Sequence, residues 1–261
     1  MTGLLASVRS AAEAALAIAG GVDIIDAKEP AEGALGRVES DVLRAIRRAV
    51  AGRRPVSATI GDLDLSPVVV SAAVQSTTAD GADIVKIGVF PGGLEATWAA
   101  LQPLARRGLR LVAVMFADRA PDLVELPKRC AGAGFFGVML DTADKAAGPL
   151  TAHLDREALA GFVARARGLG LASGLAGSLR LSDIPSLAPL GADYLGFRSA
   201  LTLAGRSSRL DAVALCAVRE ALDQAAPSRE SSRATATAGA ISEASERRPG
   251  LAALMVPPKS L

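Results

Sequence analysis

Residues 81–88 read Gly-Ala-Asp-Ile-Val-Lys-Ile-Gly, and the phrase returns as Gly-Val-Asp-Ile-Ile-Asp-Ala-Lys at 21–28 and Gly-Ala-Asp-Tyr-Leu-Gly-Phe-Arg at 191–198. Each begins with a glycine of the kind that ends a helix and continues into a short apolar, partly β-branched run, so each closes a helix and opens a strand. Working outward, residues 4–223 alternate such runs with longer Ala-rich amphipathic segments. Strands are expected near 4–8, 23–28, 55–60, 83–89, 110–116, 135–141, 171–175 and 193–198. Helices are expected near 10–20, 39–51, 66–80, 93–107, 121–132, 155–168, 182–189 and 209–223, with Ser10 and Ser66 as N-caps and Pro67 at the first helical position.

Parallel strands need a crossover each time, and eight βα units in about 220 residues suit a closed (β/α)8 TIM barrel. An open doubly wound sheet is the alternative, but it uses fewer strands and carries a Gly-rich nucleotide turn after the first. Here the turn after Val8 reads Arg-Ser-Ala-Ala-Glu-Ala. Residues 1–225 are therefore expected to form one barrel domain. Residues 226–261, rich in Ser, Thr, Ala and charge, read as a low-complexity, flexible tail that regains hydrophobicity near its end.

Composition removes several functions. Of 261 residues only 3% are aromatic, which leaves few stacking surfaces for bases. The net charge of +2 comes from the tail: Arg229, Arg233, Arg247, Arg248 and Lys259 face three acidic side chains there, and residues 1–225 are left with 24 charges of each sign. A balanced body has no electrostatic footprint for nucleic acid, so any phosphate must be bound locally. Cys130 and Cys216 are far apart and expected in or near helices, and with a single histidine, His153, they cannot build a structural zinc site. His153 is assigned no role. No signal peptide and no membrane-spanning run is apparent, so a cytoplasmic location is expected. Ala-rich helix faces permit a homo-oligomer.

Lysine usage is selective: the chain has five lysines among 29 basic residues. Lys28 and Lys86 stand where strands end, Lys145 follows the run ending at Asp141, and Lys128 and Lys259 fall in a helix and the tail. An amine can lose its proton and attack a carbonyl, whereas a guanidinium stays charged, so this distribution points to imine chemistry. Barrel active sites lie at the C-terminal ends of the strands, where Lys28, Lys86 and Asp141 end strands 2, 4 and 6 and should converge. Asp26, two residues before Lys28, shares its face. Crowding amines there would depress at least one lysine pKa.

The loop 29–36, Glu-Pro-Ala-Glu-Gly-Ala-Leu-Gly, reads either as a lid or as a long turn. Phosphate is expected at the ends of strands 7 and 8, where the small residues Gly174, Gly177, Ser178 and Gly196 allow close backbone approach and Arg198 and Ser199 offer donors. Ser7 and Arg9 are lesser candidates at the rim of strand 1.

These residues carry a resemblance to a known family, the (5-formylfuran-3-yl)methyl phosphate synthases. The matching pieces are Leu-Leu-Ala-Ser-Val-Arg-Ser at 4–10, the segment 20–36 with its pattern D-x-K-x-P-x-x-G-x-L-G, Ala-Asp-Ile-Val-Lys-Ile-Gly at 82–88, Gly-Val-Met-Leu-Asp-Thr-Ala-Asp-Lys at 137–145 and Ala-Gly-Ser-Leu at 176–179. The resemblance spans roughly residues 3–222. It implies a metal-independent barrel lyase, without a cofactor, that condenses two glyceraldehyde 3-phosphate molecules into a phosphorylated furan aldehyde. Lys28 would form the imine, with Asp26, Lys86, Asp141 and Lys145 as its acid–base companions. The product would feed methylofuran or methanofuran synthesis in one-carbon metabolism. Two other readings use the same residues: another class I aldolase or phosphosugar isomerase, or a barrel that only binds a phosphorylated metabolite.

Overall fold

Eight short strands alternate with helices in a computed structural model of the chain, which describes residues 1–225. The tail reading for 226–261, including Lys259, lies outside the described residues. The strands are β1 (Gly3–Val8), β2 (Ile24–Ala27), β3 (Val56–Thr59), β4 (Ile84–Gly88), β5 (Arg110–Phe116), β6 (Gly137–Asp141), β7 (Ala172–Leu175) and β8 (Tyr194–Phe197). All neighbours pair in parallel, and β8 returns to β1, closing the (β/α)8 barrel. The principal helices are α1 (Ala11–Ala19), α2 (Ser40–Val50), α3 (Pro67–Ala79), α4 (Leu94–Arg106) and α5 (Glu125–Gly132), followed by α6 (Leu150–His153), α7 (Arg156–Gly168), α8 (Ile184–Leu187) and α9 (Ala212–Gln224).

Strand alternation sorts side chains into two cores. Leu4, Ala6 and Val8 of β1, Ile25 and Ala27 of β2 and Val85 and Ile87 of β4 pack against the helices. Leu5, Ile24, Ile84, Val112, Val114, Met139 and Tyr194 fill the barrel instead. Because the side-chain period is two, Ser7, Asp26, Lys86 and Asp141 share the inward parity of Leu5, Ile24, Ile84 and Met139.

The repeated Gly-Xaa-Asp phrase does more than separate helix from strand. Asp23, Asp83 and Asp193, at the entrances of β2, β4 and β8, accept the N–H groups of Leu4, Val56 and Ser173 in the preceding odd strands, each at 2.8 Å. Arg219 and Arg47, from the helices before β1 and β3, bind Asp23 at 3.0 Å and Asp83 at 2.7 Å. At Gly81, φ +106, a Cβ would stand 2.9 Å from Arg47 Cγ, so the glycine makes room for the arginine. The fourth position reads Gly134-Phe-Phe, and there Arg110 stacks over the Phe136 ring at 5.5 Å.

Ser10 caps α1 by accepting the Glu13 N–H, and Pro67 opens α3, but Ser66 makes no side-chain cap bond. The expected helix 182–189 is broken into α8 and two flanking 3₁₀ turns, because Pro189 removes a donor and crowds the preceding turn. Helix α5 starts at Glu125 rather than 121, since Asp122 accepts the Val124 and Glu125 N–H groups in a turn of its own. Cys130 lies buried in α5 and Cys216 exposed on α9. Burial pushes the Cys130 thiol up to about 12, leaving it inert. Replacing Asp83 with Ala leaves the Val56 N–H without its acceptor, and urea unfolding should show a loss of about 1–3 kcal/mol.

Candidate active site

Three amines and two carboxylates meet at the C-terminal mouth of the barrel. Asp26 is aligned with Ser7 of β1 and Ser57 of β3 by the strand register. Ser7 Oγ donates to Asp26 Oδ2 at 3.0 Å and Ser57 Oγ to Oδ1 at 2.6 Å. Lys86 Nζ reaches the same Oδ1 at 2.7 Å, with Asp26 and Lys86 0% and 2% exposed. Lys28 lies one residue past β2, its N–H continuing the ladder to the Val8 carbonyl. Its amine is 3.3 Å from Asp141 Oδ2, while Lys145 Nζ holds Oδ1 of the same carboxylate at 2.5 Å. Lys145 also donates to the Thr142 carbonyl, and the Thr142 N–H donates to Asp141 Oδ1. Sequence spacing left the aim of Lys145 open; the loop folds its side chain back over Asp141.

The electrostatics follow from burial. Desolvation lowers Lys86 below the ordinary lysine value, with Lys28 adding to the effect and Asp26 opposing it. Lys145 is lowered for the same first reason, with Asp141 opposing and Lys28 and Arg206 reinforcing. Burial works to raise Asp141, but Lys28 and Lys145 beside it hold it well below the usual carboxylate range. With three amines against two carboxylates, full protonation leaves one positive charge in excess. A neutral lysine or a bound anion would remove it.

Half of the mouth is filled. Leu35, from the loop 29–36, is fully buried with Phe116 in the barrel core, and Phe90 packs on the same cluster. The Phe90 and Phe116 rings lie 5.0 Å apart with the Arg119 guanidinium over both. The loop itself is fastened: Asp62 accepts the N–H groups of Ala34 and Leu35, and the Gly36 carbonyl accepts from the Glu29 N–H and Thr59 Oγ1. It is thus a long bonded turn that closes the β3–β5 side. The remaining space, ≈ 530 Å³ counting the part open to solvent, is lined by all five lysine–aspartate residues together with Ser7 and Pro30.

Gly177, Ser178, Gly196, Arg198 and Ser199 line this cavity as well. Ser178 sits at φ +48, a left-handed conformation that non-glycine residues seldom adopt and that tends to persist at functional turns. A wider recess continues outward past Lys145, Ser178 and Ser199, and its charged lining among the described residues is Lys145 and Arg180.

Two of the expected phosphate residues are corrected. Gly174 points into the barrel, where a Cβ would stand 2.3 Å from the Tyr194 ring; it exists to admit that ring, and it does not line the cavity. Arg198 has no donor left for an anion. Its Nη groups hold Glu13 at 2.6 and 3.2 Å and the carbonyls of Ser7 and Ser208, and its Nε donates to the Arg206 carbonyl. A following Ser-Ala suggested a phosphate turn, whereas the buried Glu13 that claims Arg198 is remote in sequence.

Ser7 enters the site as a donor to Asp26, and Arg9 instead latches the rim to Glu29 and the Ser207 carbonyl. Ser57 and Arg206 were not foreseen. Ser57 had a signal: in Val-Ser-Ala-Thr at 56–59 every second residue of a buried strand is polar. Arg206 lies nine residues beyond the end of β8, in a loop with no strand register to aim it.

Fold and site together define a (β/α)8 barrel that carries an amine-rich pocket where such barrels do their chemistry. The chain belongs to the 4-HFC-P synthase family, whose model matches residues 4–219. A Methylorubrum extorquens protein bearing the (5-formylfuran-3-yl)methyl phosphate synthase name as a provisional assignment is 43% identical over 84% of this chain and 91% of its own. Synthases of that name from Methanococcus maripaludis and Methanothermobacter thermautotrophicus are 36% and 34% identical, over 77% and 84% of this chain and 90% and 98% of theirs. Among solved structures, Salmonella typhimurium 3-hexulose-6-phosphate synthase superposes with a TM-score of 0.64 at 18% identity, covering 86% of this chain and 100% of that one. Thermus thermophilus phosphoribosyl anthranilate isomerase gives 0.63 at 16%, covering 86% and 99%. At those identities the likeness is one of fold. Among the described residues no helix is long and apolar enough to cross a membrane.

Because Asp141 stays ionised in the fold at pH values where the unfolded chain takes up a proton, its contribution is present above the ordinary carboxylate pKa and drains away as pH falls below about 4. Asp141→Asn should cost about 3–5 kcal/mol near neutrality by stranding two amines, and should flatten the acid side of the stability curve measured by urea unfolding.

Proposed function

We propose that the chain joins two molecules of glyceraldehyde 3-phosphate into (5-formylfuran-3-yl)methyl phosphate through an imine on Lys28. The observation that carries this reading is the convergence of Lys28, Lys86 and Lys145 on two carboxylates, in a chain whose relatives bear the name of that synthase. Lys28 suits the nucleophile because its ion pair is the loosest of the three and its amine borders the cavity. Lys86, sealed against Asp26, suits proton transfer at a fixed point. Lys145 and Asp141 would hold the Lys28 amine and pass protons on the opposite side.

In this scheme the iminium draws electrons from the neighbouring carbon, a lysine or carboxylate takes its proton, and the resulting enamine attacks the second triose. Ring closure with loss of one phosphate and two waters balances two trioses against the furan, and aromatisation makes the sequence effectively irreversible. One triose phosphate group would sit in the recess lined by Ser178 and Ser199, where the backbone turns sharply and Lys145 and Arg180 supply positive charge. A phosphorylated furan aldehyde of this form is a building block for methylofuran- or methanofuran-type formyl carriers.

Incubation of the protein with glyceraldehyde 3-phosphate alone should produce a near-ultraviolet furan absorbance together with inorganic phosphate. An ordinary sugar phosphate and no absorbance would identify an aldolase or isomerase instead. Borohydride should trap substrate on Lys28, and Lys28→Arg should abolish both trapping and turnover while the protein still folds. Lys86→Met should keep trapping at Lys28 but lose about 10²–10⁴ in turnover, the range removed with a general acid–base group. An adduct found on Lys86 would reverse the two roles.

A further inference from the structure

The reaction proposed above brings two phosphorylated trioses to one cavity, and the recess at Ser178 accounts for one anion. Resting on that reading for the identity of the ligand, we infer that Arg206 anchors the second phosphate, on the opposite flank of the lysine cluster.

Arg206 lines the lysine cavity and is half-buried. A guanidinium offers five N–H donors. Among the described residues Arg206 uses one, from Nη2 to the Gly33 carbonyl at 3.1 Å, and it forms no salt bridge. That contact leans it toward the loop after β2, away from the Ser178 recess. Glu29, Asp62 and Asp141 influence its charge from a distance, and Arg198 and Lys145 repel it. Asp141 acts on both Arg206 and Lys145 but forms ion pairs only with Lys28 and Lys145, so among the described residues Arg206 borders the cavity without an ion-pair partner, and an anion beside it would supply one. A guanidinium fork also matches phosphate oxygens in a way that a lysine does not.

The backbone beneath Arg206 is built to present it. Arg198, locked on Glu13, donates to the carbonyls of Arg206 at 2.7 Å and Ser208 at 2.5 Å, and Arg9 donates to the Ser207 carbonyl at 2.7 Å. Three consecutive carbonyls are held by two arginines from other parts of the mouth. The saturated arginine therefore serves to position the unsaturated one.

The probe is inorganic phosphate, followed by thermal unfolding of the full chain. Phosphate should raise the midpoint of the wild type. Arg206→Gln keeps an amide donor for the Gly33 carbonyl but no charge; it should lose half of that shift or more, while Arg206→Lys, which keeps the charge without the fork, should fall between the wild type and Arg206→Gln. With glyceraldehyde 3-phosphate as substrate, Arg206→Gln should raise KM by about tenfold or more with little change in kcat, as expected for loss of a charged hydrogen bond used equally in binding and reaction. A residue that merely braced the loop would lower the midpoint without altering the phosphate shift. In the unmodified chain, phosphate should protect Arg206 from phenylglyoxal as mapped by mass spectrometry, a measurement independent of how any variant folds. Equal phosphate shifts in wild type and Arg206→Gln, no shift in wild type, or unprotected Arg206 overturns the assignment. Phosphate binding through Arg206 in a protein that forms no furan would leave this anion site standing and remove the reaction proposed above.

Discussion

Asp26 and Lys86 meet at 2.7 Å in a place closed to solvent, and the order of the barrel mouth depends on that pair. A buried charge costs several kcal/mol unless its partner and its remaining hydrogen bonds are in place. Here Ser7 and Ser57 take up the carboxylate from the two neighbouring strands, so β1, β2, β3 and β4 are tied at one level. A slip of one residue in any of them would turn a polar side chain into the helix-facing core. The geometry of the candidate site and the strand register are thus maintained by the same bonds. Lys28 differs because it stands beyond the strand, shares its carboxylate with Lys145 and meets open space.

The mouth is asymmetric for a packing reason. Leu35, Phe90 and Phe116 complete the apolar core on the β3–β5 side. What remains open is lined from β6 through β8 and β1 to β2, with Lys86 of β4 also in its lining, and every lysine–aspartate contact borders it. The loop 29–36 carries both functions: Pro30 lines the cavity while Leu35, five residues later, plugs the barrel. Gly36 allows that return, since a Cβ there would stand 2.1 Å from the Glu29 carbonyl oxygen.

Much of this was legible beforehand. Alternation of strand and helix signals, read with the crossover that each pair of parallel strands needs, leads to eight βα units and a closed barrel, and each expected strand is present within about two residues at its ends. Asp26, Lys28, Lys86 and Asp141 could be gathered because they occupy strand ends, where parity and the barrel's closure convert position into direction. Lys145 could be suspected from spacing alone, and its grip on Asp141 depends on how Asp118 fastens the loop through the N–H groups of Ala143 and Asp144. Gly174 and Arg198 were misread for a common reason. A glycine and an arginine at strand ends suit a phosphate, but the same residues suit an aromatic ring or a buried glutamate, and those partners come from other strands and helices.

The amino-acid sequence by itself determined the number and kind of elements, the inward parity of the charged residues and the placing of three of the five lysines at or just beyond strand ends. These are local properties, set by periodicity, by turn residues and by what an amine can do that a guanidinium cannot. Tertiary structure alone decided which partner each charge received: Asp141 shared by two lysines, Arg198 consumed by Glu13, and Arg206, at the cavity lining, bound to the Gly33 carbonyl. Pairing is a competition among side chains brought together by barrel closure, and its outcome depends on distances and burial that no single segment contains.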